Sequence, residues 1–423
     1  MGGELVVVEA MQRSLVAPAR HLAHVRYEIR GPLARRAMEL ERQGYEVVKL
    51  NIGNPGAFGF RTPESMRLAV IENLAQSEAY CHQKGIFPAR EAVVMETQRR
   101  GIRGVVAEDV FMGNGVSELI LMCMEGLLEP GDEVLLPAPD YPLWTAAVVI
   151  TGATPVYYEC RPEAAFVPDP DEIARLVTTK TKALVLINPN NPTGAVYPRD
   201  VLTRLVRIAE EHGIVLFSDE IYDRILYDGA EHVPVATLCE KTLCVTFGGL
   251  SKVYRACGFR VGWAVFSGDK EDSGDYLAAL ELLASLRLCS NVPGQWAVQT
   301  ALGGVQSIHD LTAPTGRLGR QRAAVIRGIA RSRFLELVAP MGALYAFPHV
   351  KAGVLPPFDD ARFAMALLEE EKVLVVPGSS FNLRRRDGFR ITLLPDEDTL
   401  ADVFARMERL LTRMADRPSS ASV

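Results

Sequence analysis

The chain has 423 residues, too many for one compact core, so two domains are expected. It is 48% hydrophobic and 23% charged with a net charge of −6, the make-up of a soluble globular protein, which argues against the basic footprint of a nucleic-acid binder. The seven cysteines are scattered, odd in number and without a Cys-x-x-Cys pair, which argues against a disulfide framework or a metal site and for a reduced, cytoplasmic protein.

The first twenty residues carry little pattern and read as an arm. Leu5 to Val8 is too short for a secretory core and follows Glu4 instead of basic residues. From about residue 100 to 270, short apolar runs alternate with helical patterns. Strands are predicted at 110–112, 133–137, 155–159, 183–187, 215–218, 243–247 and 260–266. Several lack a two-residue alternation, which suits a mostly parallel, seven-stranded sheet covered on both faces, an α/β unit. The uncharged run 141–158 reads as a helix ending at Thr151-Gly152 and then a strand, not a membrane span. A helix is predicted at 198–212, with Leu202, Leu205, Val206, Ile208 and Ala209 on one face. After residue 300 come a helix at 317–331 and short strands within 343–348, 373–377 and 388–394. A final amphipathic helix carries Leu400, Val403, Phe404, Met407, Leu410, Leu411 and Met414 and is started by the acids around Asp396. This part reads as a smaller α+β domain. The predicted division is 1–60 for the arm and part of the small domain, 61–300 for the large domain, 301–416 for the small C-terminal domain and 417–423 for a disordered tail.

The chemistry is concentrated in Phe247-Gly248-Gly249-Leu250-Ser251-Lys252, followed by Arg255, Gly258, Arg260 and Gly262. A neutral lysine condenses with an aldehyde, and an arginine fixed nearby holds a phosphate. Together they point to pyridoxal 5′-phosphate. That cofactor needs a lysine, a carboxylate at its pyridine nitrogen, a donor at its ring hydroxyl, a phosphate cradle and a surface on the ring. The apolar run 215–218 ends in Asp219, which places a carboxylate at a strand's C-terminal edge, where open α/β sheets bind ligands; an acid there also caps a turn. Tyr222 follows three residues later, within reach of a ring hydroxyl or simply packed. Asn191 sits in the rigid turn Asn188-Pro189-Asn190-Asn191-Pro192-Thr193-Gly194. Gly113-Asn114-Gly115-Val116-Ser117 follows a strand and opens a helix, a cradle for one phosphate that Ser251 and Arg260 would complete. It lacks the last glycine of a dinucleotide fingerprint. Tyr141, past another strand end, is placed to stack on a ring.

The motifs around Asn191, Asp219, Lys252 and Arg260 resemble the fold type I, class I/II aminotransferases, from about residue 24 to 414. Tyr27-Glu28-Ile29-Arg30-Gly31-Pro32, Gly53-Asn54-Pro55, Pro139-Asp140-Tyr141-Pro142-Leu143-Trp144 and Phe389-Arg390-Ile391 are similar to the bacterial glutamate–pyruvate (alanine) aminotransferases. The resemblance implies a large domain around a seven-stranded sheet and a smaller α+β domain. It implies that Lys252 forms the Schiff base and moves the proton at the substrate Cα. Asp219 would pair with the pyridine nitrogen, Asn191 and Tyr222 with the ring hydroxyl, and Tyr141 with the ring face. Gly115, Val116, Ser117, Ser251 and Arg260 would hold the phosphate. Tyr80 would reach the phosphate of a neighbouring subunit in a homodimer. Arg390 would grip the substrate α-carboxylate beside Asn191 and Gly53. Tyr27 and Arg30 would fold over the site, Arg30 being the candidate for a γ-carboxylate. The implied reaction moves the amino group between alanine or glutamate and 2-oxoglutarate or pyruvate, with no membrane or nucleic-acid partner. The same cofactor residues also serve donors such as valine or 2-aminobutyrate, and lyases or oxidases acting on amino acids. A regulator of this fold needs an N-terminal DNA-binding module for which about twenty residues leave no room. Two features depart from the pattern: Gly249 stands where many relatives have serine, and Arg384-Arg385-Arg386 crowd the loop before Arg390, either as a solvated run or as a lure for dicarboxylates.

Overall fold

The computed structural model describes residues 16, 19–25, 31–355 and 357–416. Tyr27, Arg30 and the 417–423 tail therefore lie outside the described residues. All seven predicted strands form. They are β1 (Val110–Gly113), β2 (Glu133–Ala138), β3 (Thr154–Glu159), β4 (Thr181–Ile187), β5 (Val215–Asp219), β6 (Leu243–Gly249) and β7 (Gly262–Gly268). They make one sheet in the order β1-β7-β6-β5-β4-β2-β3. β7 runs antiparallel to both neighbours, and every other pairing is parallel. The C-terminal ends of six strands and the start of β7 thus share one edge.

Both faces of the sheet are apolar, so both are covered. Val185, Phe217, Val245 and Phe266 face one buried cluster with Leu119, Cys123 and Met124 of helix α1 (Val116–Leu127) and Trp144 and Val148 of α2 (Pro142–Ile150). Their neighbours Leu184, Leu186, Leu216 and Cys244 face the opposite cluster, with Leu202, Leu205 and Val206 of α3 (Arg199–His212). Each such Leu, Val or Phe side chain contributes roughly 1.5–3 kcal/mol when fully buried. α3 stops at Gly213, whose φ of 62° is the left-handed conformation that ends helices. Proline at the first position of α2 suits a helix start, so the helix begins directly after Tyr141.

The C-terminal part is built on α4 (Arg317–Ala330), α5 (Asp360–Glu371) and α6 (Glu397–Asp416). Its small sheet sets β10 (Phe389–Thr392) between β8 (Tyr345–Ala346) and β9 (Val376–Pro377), all antiparallel. An N-terminal pair, Val48–Lys49, adds in parallel to Val373–Leu374. That pairing carries Asn51 and Gly53 towards Arg390.

Two expectations are corrected here. The run 373–377 is not one strand. Val373–Leu374 pairs with Val48–Lys49, and Val376–Pro377 pairs with Phe389 and Arg390, so the chain changes partner at Val375. The strand predicted from Arg260 begins two residues later. Arg260 has a φ of 52° and ends the short 3-10 turn Cys257–Phe259, so it belongs to the loop and not to β7. Among the described residues no helix is long and apolar enough to cross a membrane.

Candidate active site

The shared strand edge opens onto a cleft of about 550 Å³. Gly53, Val116, Ser117, Tyr141, Asn191, Asp219, Tyr222, Ser251, Lys252, Arg260 and Arg390 all line it. Gly115 lies directly beneath Arg260, where any side chain would collide with the guanidinium. Tyr80 is not among the lining residues; its ring is 79% exposed.

The cationic end of the cleft follows from the β1–β7 register, which puts Gly113 opposite Gly262. A Cβ on Gly262 would stand 2.5 Å from the Val116 nitrogen and 2.7 Å from the Gly115 carbonyl carbon. Glycine there lets the first turn of α1 approach the β6–β7 loop. Arg260 donates to the carbonyls of Asn114 (3.1 Å) and Cys257 (3.1 Å). Asn291 donates to the Arg260 carbonyl (2.8 Å), and its backbone N–H donates to Asn114 Oδ1 (2.9 Å). Glu118 accepts from the Asn114 backbone N–H at 2.7 Å. A helix N-terminus and a guanidinium held side by side suit a phosphate monoester.

Asp219 is the last residue of β5 and is 3% exposed. Its Oδ1 accepts from the Ile221 N–H (3.3 Å) and its Oδ2 from Trp144 Nε1 (3.4 Å). Burial raises its pKa to about 6, against two weak donors that favour the charge. A buried carboxylate open to the cleft is matched by a protonated ring nitrogen. Trp144 is wedged edge-on against Phe247 with centroids 5.4 Å apart, so its N–H is fixed by the core. Beside Tyr141, Asp140 is fully buried, accepts from Thr145 Oγ1 (2.6 Å) and Asn382 Nδ2 (2.8 Å), and is pushed by burial to about 7.

At the other end Arg390 is 2% exposed. Nη1 donates to Asn191 Oδ1 (2.9 Å) and Nη2 to the Asn51 carbonyl. Arginine can only donate, so the Asn191 oxygen faces it and the Asn191 amide nitrogen remains the donor. The guanidinium carbon lies 4.3 Å from the Tyr345 ring centroid and 4.9 Å from that of Phe381. Its Nε is buried without a hydrogen-bond partner among the described residues, as suits a site that expects an anion. Lys252 Nζ donates to the Gly53 carbonyl at 2.8 Å. Tyr222 donates to the Tyr345 hydroxyl at 3.1 Å. Burial, and then Tyr345, push the Tyr222 phenol well above its usual range.

Both departures in the sequence have structural answers. A Cβ on Gly249 would stand 2.9 Å from the Val261 carbonyl oxygen and 3.1 Å from Gly262 Cα, so the tight closure of the β6–β7 loop leaves no room for serine. The arginine run does not line the cleft. Arg385 pairs with Asp387 (2.7 Å) and Glu163 (3.0 Å), and Arg386 pairs with Asp359 (2.9 Å), so these two belong to a solvated loop, not a lure at the site mouth. The sequence reading missed Tyr345, Trp144, Asn114, Asn291 and Cys257. Trp144 and Asn114 stood in quoted motifs; no local signal marked the others.

The residues present fit pyridoxal 5′-phosphate: a cradle that a Cβ would fill, a buried acid for the ring nitrogen, a lysine in the same cleft, and an orphaned guanidinium N–H for a carboxylate. The family model "Aminotransferase class I and II" matches residues 45–406. The chain is 47% identical over 391 residues to the glutamate-pyruvate aminotransferase AlaA of Haemophilus influenzae, covering 92% of this chain and 97% of that protein. It is 45% identical over 401 residues to the alanine aminotransferase of Mycobacterium tuberculosis, covering 95% and 93%. An aminotransferase structure from Escherichia coli superposes with a TM-score of 0.93 at 45% identity, covering 96% of this chain and all of that one. With the site's geometry and these likenesses in agreement, this chain belongs to the class I and II aminotransferases.

Proposed function

We propose that the chain is a pyridoxal-5′-phosphate-dependent transaminase that exchanges the amino group between alanine and 2-oxoglutarate, giving pyruvate and glutamate reversibly. The observation that carries this reading is the convergence of Asp219, Lys252, the Arg260 cradle and Arg390 in one cleft. The cofactor supplies an electron sink for the carbanion at the substrate Cα. Arg260, Ser251, Ser117 and the backbone N–H groups of Gly115 and the start of α1 would bind its phosphate. Asp219 would keep the pyridine nitrogen protonated. Asn191 and Tyr222 would bind the ring hydroxyl, and Tyr141 would lie against the ring. Arg390 orients the α-carboxylate as a fork, beside Asn191 and Gly53. Lys252 takes the proton from Cα on the amino-donor half and returns one on the acceptor half.

Among the described lining residues the cations are Lys252, Arg260 and Arg390, and all have roles. The γ-carboxylate of glutamate therefore needs another group. Arg30, beside Tyr27 on the N-terminal segment, is our candidate. A panel of amino donors against pyruvate and 2-oxoglutarate, ranked by kcat/KM, tests the substrate assignment. Alanine and glutamate should lead; valine or 2-aminobutyrate preferred by tenfold or more would overturn it.

We also infer a homodimer that completes each site. Ile71, Leu74, Tyr80 and Phe87 on one segment and Leu282 and Leu286 on a second are exposed, and the Lys84–Glu281 ion pair joins the two segments. Clustered apolar exposure of this kind supports a subunit interface, with Tyr80 reaching the partner's phosphate. Sedimentation should give a dimer; a fully active monomer at assay concentration would refute the shared site. The seven free thiols support a reducing, cytoplasmic setting.

A further inference from the structure

Tyr345 has no assigned part in the reaction, yet it touches both Arg390 and Tyr222. It lies on β8 opposite Thr392 of β10. Residues two apart on a strand share a face, so Tyr345 and Arg390 are diagonal neighbours across the pair. The Arg390 guanidinium carbon lies over both the Tyr345 ring and the Phe381 ring. Those rings hold it by cation–π contact and leave its N–H groups for Asn191, the Asn51 carbonyl and a ligand. The Tyr345 hydroxyl reaches the other way and accepts from Tyr222. That reach is possible only because residue 53 is glycine: a Cβ there would collide with the hydroxyl. The same Gly53 carbonyl accepts from Lys252.

We infer that Tyr345 is a positioning residue that fixes the carboxylate-binding face of Arg390 and the hydroxyl of Tyr222 in one register, so that substrate capture and proton handling at the ring depend on a single side chain. The inference rests on the transaminase reading for its catalytic consequences. Its two halves separate chemically: the ring carries the guanidinium, and the oxygen carries the hydrogen bond. The charged and titratable groups facing that oxygen are Tyr222, Lys252, Arg390 and Cys257, with Asp219 beyond Tyr222. Burial would raise the Tyr345 phenol, but Lys252, Arg390 and the Tyr222 hydrogen bond outweigh it and hold it below the usual tyrosine range.

Two variants test the halves. Tyr345→Leu removes the ring and should raise KM for alanine and 2-oxoglutarate roughly tenfold, with a smaller change in kcat. Tyr345→Phe keeps the ring and should leave KM within about twofold while moving the pH profile of kcat by roughly half a unit or more. In the cofactor-free chain, an ultraviolet titration of tyrosinate should show one phenol ionising ahead of the rest. That step should vanish in Tyr345→Phe. Wild-type KM in the leucine variant, or an unchanged tyrosinate titration in the phenylalanine variant, overturns the inference. If the leucine variant does not fold, the phenylalanine variant decides, since it loses one oxygen and keeps the core volume. A wild-type protein that fails to transaminate would sink the transaminase reading instead, and the titration of the cofactor-free chain still reports on Tyr345.

Discussion

Lys252→Ala is expected to lower kcat for alanine–2-oxoglutarate exchange by at least about 10⁴-fold, because it removes both the covalent anchor and the base at the substrate Cα. The other cations among the described lining residues, Arg260 and Arg390, carry guanidinium groups, which only donate and so cannot take the Cα proton. Asp219 is buried at the end of β5 and held by Ile221 and Trp144. Substrate binding should survive, since Arg390 keeps its stack on Tyr345 and Phe381. Stability should change little, because Lys252 is only half-buried and its single hydrogen bond goes to Gly53. Steady-state kinetics with a melting curve decide the matter. Turnover within tenfold of wild type would remove Lys252 from the mechanism.

Asp219→Asn should act in opposite directions on activity and on the stability of the cofactor-free chain. Turnover should fall about 10²- to 10³-fold, the usual loss when a group that stabilises developing charge is removed from a dry site. The stability effect follows from proton linkage. The folded pKa of about 6 lies above the ordinary aspartate value of 3.8, so the folded chain binds this proton more tightly than the unfolded one. The benefit is fully present below the unfolded value and is lost as pH rises from about 4 through 6. Above pH 7 the buried charge costs about 3 kcal/mol. The neutral amide should therefore raise the melting temperature of the cofactor-free protein at pH 8 by several degrees, and the gap should close as pH falls towards 4. Loading pyridoxal 5′-phosphate should reverse the order at pH 8, because only the carboxylate gains from a cationic ring nitrogen. Equal melting temperatures for both proteins at pH 8, with and without the cofactor, would mean that Asp219 does not carry a buried charge.

Much of the site was legible because parallel strands collect their C-terminal ends on one edge. Placing Asp219, Asn191, Tyr141 and the Lys252 loop after apolar runs was therefore enough to bring them together, with no knowledge of strand order. What failed to show in the sequence depended on tertiary packing. Tyr345 lies in a strand of two residues, too short for a periodic pattern, and its partners come from β10 and from the segments after β5 and Val48–Lys49. Trp144 reads as an apolar helix residue until the packing of α2 aims its N–H at Asp219. Arg260 reads as the start of a strand because a left-handed residue leaves no periodic trace in its neighbours. Gly249 stands out from the family pattern for a reason twelve residues away in sequence, the Val261 and Gly262 backbone that closes the β6–β7 loop over it.

The β6–β7 loop also limits how this protein could be rebuilt. The chain leaves the sheet at Gly249 and re-enters at Gly262, directly opposite, with Lys252 and Arg260 both inside the excursion. New termini opened between those two residues would put the reactive amine at one end of a circular permutant and the phosphate-binding guanidinium at the other. A cut at Gly104, a left-handed turn glycine with open space around it, would leave the whole excursion unbroken. Split or permuted versions of the enzyme should therefore be designed around the Gly104 turn and kept away from the β6–β7 loop.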